Sequence, residues 1–86
     1  MALYPRATKT SLAKLIRSKG FTIPSIRKVC LSHFRRSYWL HWVDKDGQSF
    51  HAYYTAAAGK PVLQVNEQWV NLTMAEVIHF DLVEEK

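Results

Sequence analysis

The residues with the widest chemical range are four histidines, of which His41 and His51 have the most suggestive spacing. They lie in two β-prone runs on either side of an Asp-Gly pair, a pattern that predicts a hairpin with the two histidines as cross-strand neighbours. Two imidazoles can bind a metal ion or transfer protons near neutral pH. A metal site needs a third ligand, and strand alternation places neither Asp44 nor Asp46 clearly beside the pair. We therefore interpret the pair as polar residues of the outer sheet face and predict no metal site.

Other catalytic patterns are missing from the sequence. The three glycines, Gly20, Gly47 and Gly59, are too few and too dispersed to build a loop that cradles phosphate. There is no nucleophile-elbow pattern and no evident carboxylate pair, since Asp44 and Asp46 are better explained by turn formation. The sequence predicts that the protein is not an enzyme and has no cofactor. A small metal-dependent enzyme built on the histidine pair is the least favoured hypothesis.

Charge is distributed very unevenly along the chain, whose formal net charge is +5. Residues 1–43 hold nine basic side chains and no acidic one, whereas residues 44–86 hold three basic and seven acidic side chains. Such asymmetry predicts a basic surface for a polyanion or for an acidic protein. The alternative is that the two halves neutralise each other in the fold. The basic residues expected to bind a partner are Lys14, Arg17, Lys19, Arg27, Lys28, Arg35 and Arg36.

Aromatic side chains adjoin this charge. The outer face of the predicted hairpin carries Trp39, His41, His51 and Tyr53, which are predicted to bind the partner together with the basic residues, and Arg35 and Arg36 precede its first strand. Aromatic rings can stack on unpaired bases while arginines neutralise phosphates. The alternative is that the N-terminal helix or a partner chain covers Trp39 and Tyr53. The aromatic signature of RRM domains and the Cys2His2 finger pattern are both missing, so no defined nucleic-acid module is predicted.

Two binding functions follow from these observations. The first is a nucleic-acid-binding module whose basic half contacts phosphates. The second is a small regulator or inhibitor that occludes an acidic surface of a protein or nucleoprotein complex, with Trp39 or Tyr53 as an anchor. In its size and lack of motifs the chain resembles small accessory proteins of phages and other mobile elements. A sheet edge could also pair with a second copy to give a homodimer.

The length predicts a single domain over residues 1–86, with residues 1–10 as a flexible arm. A helix is predicted over Ser11–Lys19, capped by Thr8 or Thr10, with an apolar stripe and with Gly20 as its C′ residue. A strand is predicted over Ile26–Phe34, although a helix stays open there.

The clearest local pattern is a hairpin of Tyr38–Val43 and Ser49–Tyr54, closed by a three-residue loop with Gly47 in the left-handed region. Its inner pairs are Trp42 with Phe50, Leu40 with Ala52, and Tyr38 with Tyr54. A second hairpin of Val62–Val65 and Trp69–Leu72 is expected around Asn66, Glu67 and Gln68. A Thr73-x-x-Glu76 capping box starts a helical turn, and residues 80–85 continue it or form a strand.

These elements predict an α+β fold: a small antiparallel sheet of four to five short strands in two hairpins, with the N-terminal helix packed on one face. The one cysteine, Cys30, is expected to be a small buried side chain. No stretch of about 20 apolar residues and no signal peptide is evident, so no membrane contact and a cytoplasmic location are expected.

Overall fold

The computed structural model describes residues 3–85, apart from the side chains of residues 3 and 58. Met1, Ala2 and Lys86 lie outside the described residues. The two α-helices are α1, Lys9–Ser18, and α2, Met74–His79, and short 3-10 turns span Ile26–Lys28 and Ala57–Gly59. The strands are β1 Leu3–Pro5, β2 Cys30–Phe34, β3 Ser37–Val43, β4 Ser49–Thr55, β5 Val62–Val65, β6 Gln68–Val70 and β7 Val83–Glu85.

Strands β2 to β6 form an antiparallel sheet of five strands in chain order, and β1 pairs with β7 in a separate two-stranded sheet. The predicted α+β class with a small antiparallel sheet is therefore confirmed. The expected arm contains β1, which is held by β7 from the other end of the chain. None of the helices within residues 3–85 is long and apolar enough to cross a membrane.

Helix α1 begins one turn after Pro5 because Thr8 caps it. The Thr8 hydroxyl accepts the Ser11 amide N–H at 3.0 Å, and the Ser11 side chain accepts the Thr8 amide N–H in return. The helix ends at Ser18, Lys19 is its C-cap, and Gly20 follows as the predicted C′ residue with a φ of +96°, which suits a residue without Cβ. Its apolar stripe is buried in the same core cluster as the inner side chains of the sheet. The packing of α1 on one face of the sheet stays a prediction.

The strand predicted over Ile26–Phe34 is wrong in its first part, because a 3-10 turn occupies Ile26–Lys28. The Ser25 hydroxyl accepts the Arg27 amide N–H at 3.3 Å and so caps this turn. Such a local bond offers the backbone an alternative to a sheet ladder. The strand begins only at Cys30, which is exposed and not buried as predicted, because it lies on the uncovered side of an edge strand.

The β3–β4 hairpin has the predicted register, with Trp42 opposite Phe50, Leu40 opposite Ala52 and Tyr38 opposite Tyr54. The Asp44 amide donates to the Gln48 carbonyl at 3.0 Å, and the Asp44 carboxylate accepts the Gln48 amide N–H at 2.8 Å. Gly47 has a φ of +80°, as the three-residue loop requires. The turn therefore fixes which side chains of this hairpin point into the core.

The second hairpin turns on two residues, Asn66 and Glu67, because Val65 pairs directly with Gln68. The predicted second hairpin is present, but its turn has two residues instead of three, and its second strand runs over Gln68–Val70 instead of the predicted Trp69–Leu72. Asn66 has a φ of +54°, a conformation that asparagine tolerates better than most residues. The capping box at Thr73 is confirmed, and the open choice for residues 80–85 is decided in favour of strand β7.

The buried Tyr54 phenol predicts a loss of stability in alkaline solution. Its hydroxyl donates to the Leu82 carbonyl at 3.1 Å, and burial, followed by the effect of Tyr38, raises its pKa above 10. The protonated Tyr54 phenol stabilises the folded protein fully below pH 10. This stabilisation is lost as the pH rises further, because the phenol ionises at a lower pH in the unfolded chain than in the folded protein. We expect urea denaturation to show a free energy of unfolding that falls above pH 10, and less steeply for Tyr54→Phe. Equal slopes for the two proteins would contradict this assignment.

Candidate binding surface

The outer face is the side of the five-stranded sheet that carries the alternate side chains not pointing into the core. Strand register aligns one residue from each strand in a row across this face. The row reads Ser32 on β2, Trp39 on β3, Tyr53 on β4, Gln64 on β5 and Trp69 on β6. Two tryptophans and a tyrosine from three different strands therefore belong to one continuous line, which we call the aromatic row.

Two further rows flank the aromatic row. Cys30, His41, His51 and Asn66 lie on one side of it, and Phe34, Ser37, Thr55 and Val62 on the other. The described strand positions of the outer face hold neither carboxylate nor ammonium nor guanidinium groups. The outer face is thus an aromatic and polar surface with no fixed charge of its own.

Large apolar side chains are exposed on the outer face. Trp69 is 67% exposed, Phe34 64%, and Trp39 and Val43 41% each. A cluster of exposed apolar side chains on a small protein is typical of a binding site. The predicted alternative, in which the N-terminal helix covers Trp39, does not fit this exposure.

Ring contacts hold the middle of the outer face in place. Trp39 and Tyr53 have ring centroids 5.3 Å apart with planes tilted by 46°. The imidazoles of His41 and His51 stack with centroids 4.6 Å apart, so the predicted cross-strand neighbours are in contact. Tyr53 is hydrogen-bonded through its hydroxyl to Ser37 Oγ at 3.2 Å. These contacts leave the rings ordered before any partner arrives, which lowers the entropy cost of binding.

Arg35 and Arg36 form the turn between β2 and β3, at the Phe34 end of the outer face. The Arg35 guanidinium lies 5.2 Å from the centroid of the Phe34 ring. The Arg36 guanidinium lies 4.3 Å from the centroid of the Tyr4 ring on β1, and the Arg36 carbonyl accepts the Thr55 hydroxyl at 2.9 Å. These two arginines are the predicted binding cations that the fold places at an end of the outer face, and their ring contacts are with Phe34 and Tyr4, which were not among the predicted binding aromatics.

The predicted cations of the helix lie elsewhere. Lys14 and Arg17 are exposed on α1, and Arg17 donates to the Ile23 carbonyl at 2.7 Å. Lys19 forms an ion pair with Glu76 at 2.5 Å, and hydrogen bonds from Lys19 and from the Thr73 backbone lower the pKa of Glu76. The structure therefore does not bring the cations of α1 onto the outer face.

The two remaining predicted cations, Arg27 and Lys28, are exposed in the 3-10 turn that precedes β2. Arg6, outside the predicted set, forms an ion pair with Asp81. Two of the nine early cations are thus neutralised by acids from the later half of the chain. The other seven form no ion pair with the described residues.

No three histidine, cysteine, aspartate or glutamate side chains within residues 3–85 are grouped as metal ligands. Cys30 is adjacent to His41 in register, but Cys30, His41 and His51 do not form a group of three metal ligands.

Sequence reasoning missed Trp69 and Phe34, the two most exposed aromatic residues of the outer face. The signal for Trp69 was present: a two-residue turn at Asn66 and Glu67 places Trp69 opposite Gln64. Gln64 is in turn opposite Tyr53. The three-residue turn assumed from the sequence hides this connection.

Comparison with known proteins gives no relative from which a role could be transferred. No protein-family model matches the chain, and no curated protein and no solved structure matches it.

Proposed function

We propose that the protein binds single-stranded nucleic acid on the outer face. The observation that carries the proposal is the aromatic row, which presents Trp39, Tyr53 and Trp69 from three strands along one line. Base faces stack on aromatic side chains with little regard to sequence. A sheet that exposes several rings in register therefore suits a chain of unpaired bases.

The size of the aromatic row fits more than one base. Neighbouring strands lie about 4.8 Å apart, so Trp39 on β3 and Trp69 on β6 are separated by about 14 Å. Tyr53 lies between them, beside Trp39. A duplex offers no such match, since its base faces are already stacked on one another.

The charges around the outer face support a polyanionic ligand. Arg35 and Arg36 at its Phe34 end can neutralise phosphates, and the described strand positions of the outer face itself carry no carboxylate. Lys14 and Arg17 on α1 add to the positive field that steers a polyanion toward the protein. In this proposal they act at long range, and the two arginines of the turn make direct contacts.

Protein binding is a second candidate function, because an apolar protein surface could also cover Phe34, Trp39, Val43 and Trp69. Protein binding would become the favoured function of the outer face if oligonucleotides fail to bind at low salt. We propose no catalytic role for the histidines.

The salt dependence of binding tests the proposal. The affinity for an oligothymidine of about 12 nucleotides should fall between about 50 and about 200 mM salt, because each neutralised phosphate releases a counterion. Contacts from Arg35 and Arg36 account for a log–log slope of about −1.4, and Arg35→Asn should reduce its magnitude by about 0.7. Fluorescence anisotropy measures both quantities. Failure to bind at about 50 mM salt, or equal affinity for a duplex of the same length, would overturn the proposal.

A further inference from the structure

The outer edge of β2 carries backbone groups with no partner among the described residues. Hydrogen-bonded pairs alternate along an antiparallel ladder, and the bond from the Asp44 amide to the Gln48 carbonyl makes the even-numbered residues of β3 face β4. The odd-numbered residues of β3 therefore face β2, where their partners are even-numbered. It follows that Leu31 and His33 direct their N–H and C=O groups away from the sheet.

This edge lacks the devices that usually prevent strand addition. Residues Cys30–Phe34 include no lysine and no proline, and their register with β3 continues without a bulge. Their side chains are exposed except for Leu31, which is half-buried against the core. Exposed edges of this kind pair readily with another extended segment.

Four cations bracket the edge. Arg27 and Lys28 precede β2, and Arg35 and Arg36 follow it. All four are exposed, and no acidic residue occurs between positions 27 and 36. Among the described residues none of the four forms an ion pair, so their charge is available to a ligand that lies along the edge.

This charge pattern selects between two kinds of added strand. A second copy pairing antiparallel about Ser32 would bring its own Arg36, in the turn after β2, toward Lys28, in the 3-10 turn before β2, at each end of the junction. Like charges brought close together repel each other. A strand with carboxylates at its ends replaces both repulsions with attractions, so the edge disfavours self-pairing and favours an acidic partner.

We propose that β2 is a docking edge for an extended acidic peptide segment, which adds to the sheet as a sixth strand. Its uncharged, β-prone centre bonds the outward N–H and C=O groups of Leu31 and His33, and its acidic ends meet the two cation pairs. Side chains of the segment alternate between the two faces of the sheet. One set lies next to Ser32 and Phe34, and the other set lies next to Leu31 and His33. The proposed ligand differs from nucleic acid, and the docking edge shares Arg35 and Arg36 with the proposed nucleic-acid surface.

A synthetic peptide of about nine residues, with two glutamates at each end and alternating threonine and valine between them, is the probe. Its matched control has lysines in place of the glutamates. At about 50 mM salt the glutamate peptide should bind with a Kd below about 1 mM, at least about tenfold tighter than the lysine peptide. On binding, hydrogen exchange should slow at the Leu31 and His33 amides. Lys28→Gln with Arg27→Gln should weaken binding at least about threefold.

Backbone pairing is tested separately from charge. His33→Pro removes one outward N–H without touching the ladder to β3, and it should reduce peptide affinity at least about tenfold. Because His33 stacks on Tyr38 at 4.8 Å, a glutamate peptide N-methylated on its pairing amides provides the same test on the unchanged protein. Equal binding of the N-methylated and unmodified peptides would overturn the proposal. Equal binding of the glutamate and lysine peptides, or no binding of the glutamate peptide at about 1 mM, would also overturn it. His33 Nε2 is also hydrogen-bonded to the Arg35 carbonyl at 2.7 Å, so the N-methylated peptide, which leaves the protein unaltered, is the test that separates this docking edge from the nucleic-acid function.

Discussion

Replacement of Trp42 by alanine is expected to lower the free energy of unfolding by about 3–5 kcal/mol. Trp42 is the largest fully buried side chain, at 1% exposure, and its ring stacks on Phe50 with centroids 5.4 Å apart and planes inclined by 6°. Its indole N–H donates to the Thr22 carbonyl at 3.1 Å and so ties the segment after α1 to the sheet. The substitution opens a cavity and removes this bond. A loss of that size is a large part of the total stability of a small domain.

Urea denaturation followed by far-UV circular dichroism measures this loss. Trp42→Phe keeps a ring in the core but not the bond to Thr22, and we expect it to cost about 1–3 kcal/mol. Trp39→Ala removes the same residue type from the outer face of the same strand, and it should change stability by less than about 1 kcal/mol. If Trp39→Ala proves as costly as Trp42→Ala, the assignment of the two sides of the sheet is wrong.

The β3–β4 hairpin was predictable because its determinants are local. The Asp-Gly pair selects the turn, and the turn sets the register over the following residues. Alternation then assigns Trp42 to the core and Trp39 to the outer face without reference to the rest of the chain. The same holds for the capping box at Thr73 and, in part, for the cap of α1, where Thr8 and Thr10 were both candidates and the Thr8 side chain accepts the Ser11 amide N–H.

Elements that depend on residues far away in the sequence, or on a turn length that differs by one residue, could not be predicted. The β1–β7 pair joins Leu3 to Glu85, and neither segment alone specifies the other. The second hairpin turns on two residues where three were assumed, and a shift of one residue moves every side chain of a strand to the opposite face. That shift determines whether Trp69 belongs to the aromatic row, so the site depends on it more than the fold does.

The charge asymmetry of the sequence also required the fold for its interpretation. Lys19 and Arg6 are neutralised by Glu76 and Asp81. The cations of α1 do not lie on the outer face, whereas those around β2 bracket an edge strand. A count of charges along the chain gives their number, but only strand order shows which of them can reach one ligand together.

Trp39→Ala and Trp69→Ala should each weaken binding to oligothymidine about tenfold, and the double variant should weaken it about 100-fold. Stacking on an exposed aromatic ring contributes about 1–3 kcal/mol per base, and the two rings are far enough apart to act on different bases. Both side chains are exposed, so the variants should remain folded. Fluorescence anisotropy of a labelled oligonucleotide measures the dissociation constants at fixed salt.

The salt slope separates stacking from charge in these variants. Removing a tryptophan removes no phosphate contact, so the log–log slope should stay that of the unaltered protein while the affinity falls, in contrast to Arg35→Asn. Ile78→Ala is the matched control, since Ile78 is equally prominent at 66% exposure but lies on α2, outside the outer face. An equal loss of affinity in Ile78→Ala would contradict the assignment of the site. A reduced slope in the tryptophan variants would show that they act through the phosphates, and stacking on the aromatic row would then be the wrong mechanism.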